Sequence, residues 1–131
     1  MTPIDPQAEA RQYRRVFAGT RAQVPEARRF VRDLLPNHQD ARLIVSEATT
    51  NAVLHTRSGE AGGTFTVVVE VRADGTARLE VEDQGGPAQF GILAQGREGG
   101  RGLQIIEALS AAWGIKGDPT GRTIWIDLPP A

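Results

Sequence analysis

Residues 64–81, TFTVVVEVRADGTARLEV, decide the fold. Residues 64–71 are dominated by β-branched and aromatic side chains, which suit a pleated surface, and residues 77–81 alternate with the two-residue period of a half-buried strand. Asp74-Gly75 between them supplies the residue types of a tight hairpin turn. Strands joined so closely must run antiparallel, so this piece predicts an antiparallel sheet and not a parallel one wound through crossover helices.

Working outward, residues 39–55 place Leu43, Ile44, Ala48, Ala52 and Val53 at spacings near 3.6 behind Asp40, and predict a long helix that Arg57-Ser58-Gly59 stops. A shorter helix precedes it, with Pro25 near its first turn and its end by Leu35, ahead of Pro36. Residues 13–18, holding Val16 and Phe17, suit an edge strand. The opening, with Pro3 and Pro6, reads as a disordered tail over residues 1–12, leaving residues 13–131 as a single domain. Downstream, the glycines of residues 84–100 predict a mobile loop, residues 103–112 return to helical periodicity, and a last hairpin runs from Ile115 through Asp118-Pro119-Thr120-Gly121 to a strand over 122–128. Strands in hairpins with helices gathered between them imply an α+β fold, a two-layer α/β sandwich whose mostly antiparallel sheet is covered on one face by helices.

A chain of 131 residues buries roughly two thirds of its unfolded surface, enough for a core without staples. Cysteine is absent and only His38 and His55 are histidine, which excludes disulfides, thiol catalysis and thiolate zinc sites. The 15 basic and 16 acidic residues give a net charge of −1, so no global field draws nucleic acid or anionic lipid. No apolar run approaches the roughly 18 residues of a membrane span, and MTPIDPQAEA lacks the basic-then-apolar order of a signal peptide. The expectation is a cytoplasmic protein that touches neither nucleic acid nor membrane directly. Residues 11–42 nevertheless concentrate eight arginines against Glu26, Asp33 and Asp40, which is either a solvated helix face or a surface for an acidic partner.

Three clusters carry chemistry. Glu47, Asn51 and His55 are spaced i, i+4, i+8 and form one polar ridge on the long helix. Such a ridge is either solvated surface or the lining of a pocket, where Asn51 offers a neutral oxygen to Mg²⁺ and Glu47 takes a proton. Asp83-Gln84-Gly85-Gly86-Pro87 follows a strand; it is either a plain turn or a place where a flat ring approaches the backbone while Asp83 accepts from an amino group. Gly99-Gly100-Arg101-Gly102-Leu103 leads into a helix N-terminus, where backbone N–H groups and the helix dipole favour an anion. No GxxxxGK[ST] occurs, so this is not a Walker loop.

The order helix ExxxN, strand-DxGG, loop, GGRGL-helix resembles the GHKL ATPase superfamily, and especially its small anti-sigma-factor serine/threonine kinases. The likeness extends from about Tyr13 to Leu128 and includes Trp113-Gly114 and Gly121-Arg122-Thr123-Ile124-Trp125. It implies Asn51 as Mg²⁺ ligand and Glu47 as catalytic base in an N box running to His55, the latter counted among the nucleotide-binding residues. It implies Asp83 on the adenine amino group, with Gly85 and Gly86 completing a first glycine box that reads DQGGP where the family has DxGxG. It further implies phosphate contacts from Gly100, Arg101, Gly102 and Leu103, a lid between the boxes, and Thr123 supporting the adenine.

The same resemblance implies ATP and Mg²⁺ as cofactors and phosphoryl transfer to a serine or threonine of an anti-anti-sigma antagonist of the STAS type. A sigma factor would be sequestered by partner switching, and the family often forms homodimers. Two alternatives stand beside it. One is a binding-only module that has lost catalysis or the nucleotide altogether; the other is the detached ATP-binding part of a histidine-kinase-like system.

Overall fold

A computed structural model describes residues 10–86 and 101–131. Its elements are β1 (Arg11–Ala18), a 3₁₀ turn (Arg21–Gln23), α1 (Val24–Leu34), α2 (Gln39–His55), a second 3₁₀ turn (Arg57–Gly59), β2 (Thr64–Val71), β3 (Ala77–Asp83), α3 (Arg101–Leu109), β4 (Ala112–Asp118) and β5 (Gly121–Leu128). The five strands form one sheet in the order β1-β2-β3-β5-β4, with every neighbouring pair antiparallel. The two-layer α+β arrangement expected from the hairpins is the one found.

Strand periodicity divides the sheet into two faces. Phe17, Phe65, Val67, Val69, Leu79, Val81, Ile124 and Ile126 point toward the helices and are at most 4% exposed. Against them α1 sets Ala27 and Val31, α2 sets Ala41, Ile44, Val45, Ala48 and Ala52, and α3 sets Leu103 and Ile106. The opposite face carries an ion-pair lattice: Arg14 meets Glu82 at 2.6 and 2.9 Å, and Arg78 meets Asp127 at 2.7 and 2.9 Å while lying over the Trp125 ring. Among the described residues the helices cover the apolar face, whose side chains gain by leaving water.

α2 spans the predicted residues, and Pro25 sits in the first turn of α1 as expected. In the β2–β3 turn Gly75 takes φ +87°, and Asp74 Oδ1 accepts from Thr76 N at 2.9 Å. Other boundaries differ. β1 begins at Arg11, two residues before the predicted start of order, because Arg11 and Gln12 pair with Val71 and Glu70. β3 runs on past Val81 to Asp83, held by the ladder to Arg122. α3 stops at Leu109 and not at Ala112, since Ala111 N donates to Asp127 O at 2.8 Å and Ala112 joins β4 opposite Asp127. Pairing with β5 overrides the helical preference of those alanines. Of the tail assigned to residues 1–12, residues 1–9 lie outside the described residues, as do residues 87–100 of the loop assigned to 84–100.

Candidate functional site

α2 is the common wall. It lies between the sheet, α1 and α3, so its polar ridge is covered where an isolated amphipathic helix would leave it in water. Asn51 is only 3% exposed, and its Oδ1 has no hydrogen-bond partner among the described residues. The same is true of His55 Nε2 one turn further on. Burying an amide oxygen without a partner costs about 1–3 kcal/mol, so Asn51 Oδ1 is an acceptor with a cost that a bound donor or cation would relieve.

The first turn of α3 lies directly on the ridge. A Cβ at Gly102 would stand 3.1 Å from Asn51 Nδ2 and 3.2 Å from Glu47 Oε2, so glycine lets the helix N-terminus approach both groups. Glu47 itself is half-buried at this junction. Leu103, the next residue, is buried in the core and anchors the turn. Of the phosphate-cradle residues inferred from sequence, Gly102 lies against Asn51 and Glu47, and Leu103 packs into the core. Gly100 and the side chain of Arg101 lie outside the described residues.

At the other end of the ridge sits the segment after β3. Gly85 adopts φ +75°, donates to Asp83 Oδ1 at 2.6 Å, and its carbonyl accepts from Arg57 N at 2.8 Å. Gly86 donates to Pro119 O at 2.9 Å, and a Cβ on it would lie 3.7 Å from Thr56 Cα and 3.8 Å from His55 O. Gln84 N donates to Ser58 Oγ at 2.9 Å, and Gln84 Oε1 accepts from Thr64 N at 2.9 Å. The glycine segment is thus tied to the end of α2 on one side and to the β4–β5 turn on the other. Glu47 and Asn51 meet Gly102, His55 lies beside Gly86, and the two contacts are about two helical turns apart on one face of α2.

Burial raises the Asp83 carboxyl above its ordinary value, opposed by the Gly85 N–H and by the nearby Arg122 guanidinium. A partly desolvated carboxylate of this kind is a strong acceptor for an amino group that replaces its lost water.

Thr123 is not brought into the site. It registers with Glu82 on the ion-paired face, whereas Asp83 registers with Arg122 on the helix-covered face. A strand reverses face at every residue, so neighbours 122 and 123 cannot both point at Asp83. Arg122 is 9% exposed, and its Nη2 donates to the Gly86 carbonyl. The sequence reading missed this residue. Its signal was present: Arg122 occupies the parity of Ile124, Ile126 and Leu128, where a charge is costly unless it has work to do. Arg57 was also missed; its Nη1 donates to Pro119 O at 2.7 Å, bracing the turn that holds Gly86.

Among the described residues no group of three His, Cys, Asp or Glu side chains could hold a metal ion. Asn51 Oδ1, without a partner among the described residues, is a neutral oxygen of the kind magnesium accepts, and that ion needs few protein ligands.

A model of the histidine kinase-like ATPase domain matches residues 7–128. The chain belongs to that family. ATP is the ligand that membership in this ATPase family implies. Among solved structures, the SiaB-SiaC complex from Pseudomonas aeruginosa aligns with TM-score 0.59 at 16% identity, covering 88% of this chain and 88% of that one. The histidine kinase domain of a blue-light activated histidine kinase from Erythrobacter litoralis aligns with TM-score 0.53 at 22% identity, covering 83% of this chain and 60% of that one. At these identities the likeness is one of fold. No curated protein matches the chain in sequence. No helix among the described residues is long and apolar enough to cross a membrane.

Proposed function

We propose that this histidine kinase-like ATPase domain binds Mg·ATP along α2, transfers the terminal phosphoryl group to a serine or threonine of a STAS-type antagonist, and sequesters a sigma factor by partner switching in the cytoplasm. The observation that carries the reading is the packing of Gly102 over Glu47 and Asn51, with the buried Oδ1 of Asn51 facing no partner among the described residues. A helix N-terminus, an acceptor for magnesium and a carboxylate able to take a proton come together there.

In this reading Asn51 orients the magnesium ion, which when bound neutralises phosphate charge. Glu47 accepts the proton of the incoming hydroxyl, and His55 lines the passage between the two ends of the site. Asp83 accepts from the exocyclic amine of the base, while Gly85 and Gly86 allow the ring close to the backbone. The backbone at Gly100, Arg101, Gly102 and Leu103, with the Arg101 charge, holds the phosphates. Catalysis of this kind is mostly positioning and charge neutralisation. The partner protein would be an anti-anti-sigma antagonist; the resemblance to anti-sigma kinases and the likeness to a protein solved as part of a two-protein complex support it. β1 and β4, the two sheet edges, are where a homodimer would pair.

One observation favours a binding-only module. Arg122 faces Asp83 from β5, in the space next to which the base would enter, and Thr123 stands on the other face. The test is to incubate the protein with STAS-domain proteins of the same proteome and radiolabelled Mg·ATP, alongside melting curves with and without Mg·ATP. Glu47→Ala should retain the nucleotide-induced rise in melting temperature and lose transfer, and Asn51→Ala should lose both. A nucleotide-induced rise without transfer in the unmodified protein selects the binding-only module. No rise at millimolar nucleotide, where a ligand at 100 times its Kd adds about 2.7 kcal/mol, rejects both nucleotide readings.

A further inference from the structure

The arginine-rich opening of the chain gathers into a defined feature away from the α2 ridge. Pro25, Arg28, Arg29, Arg32 and Arg42 line a surface pocket of about 220 Å³ between α1 and α2. Arg29 and Arg32 pair with Glu26 and Asp33, but Arg28 and Arg42 have no carboxylate within 4.0 Å among the described residues. These two are anchored by neutral oxygens. Arg28 Nε donates to Ser46 Oγ at 2.8 Å, Ser46 Oγ donates to Arg42 O at 2.8 Å, and Arg42 Nη2 donates to Pro36 O at 3.1 Å. Arg42 Nε is buried with no partner among the described residues.

We propose that this pocket docks an acidic side chain from a partner protein, an Asp- or Glu-bearing segment. Two guanidinium groups held in place by neutral contacts keep their charge for a carboxylate, Arg28 is anchored through Nε and so presents its terminal nitrogens, and the ordering cost of fixing both is already met by the fold. The pocket suits one or two carboxylates and not an extended polyanion, which would have to lie across Glu26 and Asp33 at the rim. A net charge of −1 likewise supplies no long-range attraction for nucleic acid or an anionic membrane. The pocket does not use the groups on the α2 ridge, so its occupancy stands apart from nucleotide binding.

The test uses as probe a short fluorescein-labelled peptide with two adjacent glutamates among glycines and serines, followed by fluorescence anisotropy and by amide shifts in an NMR titration of the whole chain. Shifts should centre on residues 25–46. Arg28→Gln/Arg42→Gln should weaken binding about tenfold, whereas the equally neutralising Arg11→Gln/Arg15→Gln on β1 should change it less than about twofold, and binding should fall steeply between low and physiological salt. Arg28 is exposed, so Arg28→Gln alone decides the matter if the double variant folds poorly. The Mg·ATP-induced melting shift should be the same in all these variants. Equal losses from the two double variants, or shifts spread evenly over all arginine-bearing surfaces, would overturn the proposal. So would tighter binding of a single-stranded oligonucleotide or of anionic vesicles at the same residues.

Discussion

Asp83 and Arg122 stand directly opposite each other at the end of the β3–β5 ladder, on the helix-covered face, and the arginine reaches past the aspartate to the Gly86 carbonyl. One guanidinium therefore acts on both the Asp83 carboxyl and the glycine segment beside it. Replacing it with Met removes a cation that lowers the Asp83 carboxyl and strips a donor from Gly86. Arg122→Met should push the Asp83 carboxyl further up and cost about 1–3 kcal/mol of stability. A carboxyl carbon NMR titration paired with urea unfolding checks both; an unmoved Asp83 titration would show that the guanidinium does not act on it.

Gly85 is required by two independent facts. Its φ of +75° disfavours any side chain, and a Cβ there would sit 2.2 Å from the Pro119 carbonyl oxygen, which is backbone and cannot swing away. Gly85→Ala should lose at least about 2 kcal/mol, since left-handed strain alone costs roughly 1–2 kcal/mol. A urea midpoint equal to that of the unmodified protein would contradict this.

Gly102 has a different role. It is helical, and the groups its Cβ would meet, Asn51 Nδ2 and Glu47 Oε2, are side-chain ends that give by tenths of an ångström. Alanine also gains helix propensity, so Gly102→Ala should alter stability by less than about 1 kcal/mol. Nucleotide affinity should nevertheless drop about tenfold, because the added methyl fills the approach between the helix N-terminus and Asn51. Isothermal titration with Mg·ADP separates the two effects, and a loss of stability without a loss of affinity would reverse the assignment.

Two carboxyls should move acid stability in opposite directions. Arg78 hydrogen bonds hold Asp127 below its ordinary value near 3.8, so its contribution is present above that value and is lost as pH falls through the folded one. Burial holds Asp83 above 3.8, so its contribution is present below that value and lost as pH rises through the folded one. In urea titrations, the deficit of Asp127→Asn relative to the unmodified protein should shrink on acidification. Asp83→Asn should gain relative stability as the pH rises from about 3 to 6. Parallel curves for either variant would show that its carboxyl is not perturbed.

Much of this architecture was legible before any coordinates. α2 and β2 carry strong periodic signals, 3.6-residue spacing in one and a β-branched run in the other, and both occupy the predicted residues. The ridge Glu47, Asn51, His55 was visible as spacing; that Asn51 is buried and Glu47 half-buried was not, because their cover comes from α3, far along the chain. The ends of α3 and β4 were misread because Ala111 and Ala112 favour helix on their own, and pairing with β5 overrides that preference. Thr123 illustrates the remaining limit. A motif read along the chain tolerates a shift of one residue, whereas a pleated strand does not.

On the proposed function, the groups that face the two ends of the nucleotide share one seventeen-residue helix. From Glu47 to His55 the rise along its axis is about 12 Å, and an α-helix of intact hydrogen bonds neither stretches nor shortens. α2 is thus a fixed yardstick: it sets how far a ligand's anionic tail must reach from its planar head. A bare nucleoside or free phosphate can occupy one mark on that scale, and a nucleoside polyphosphate spans both.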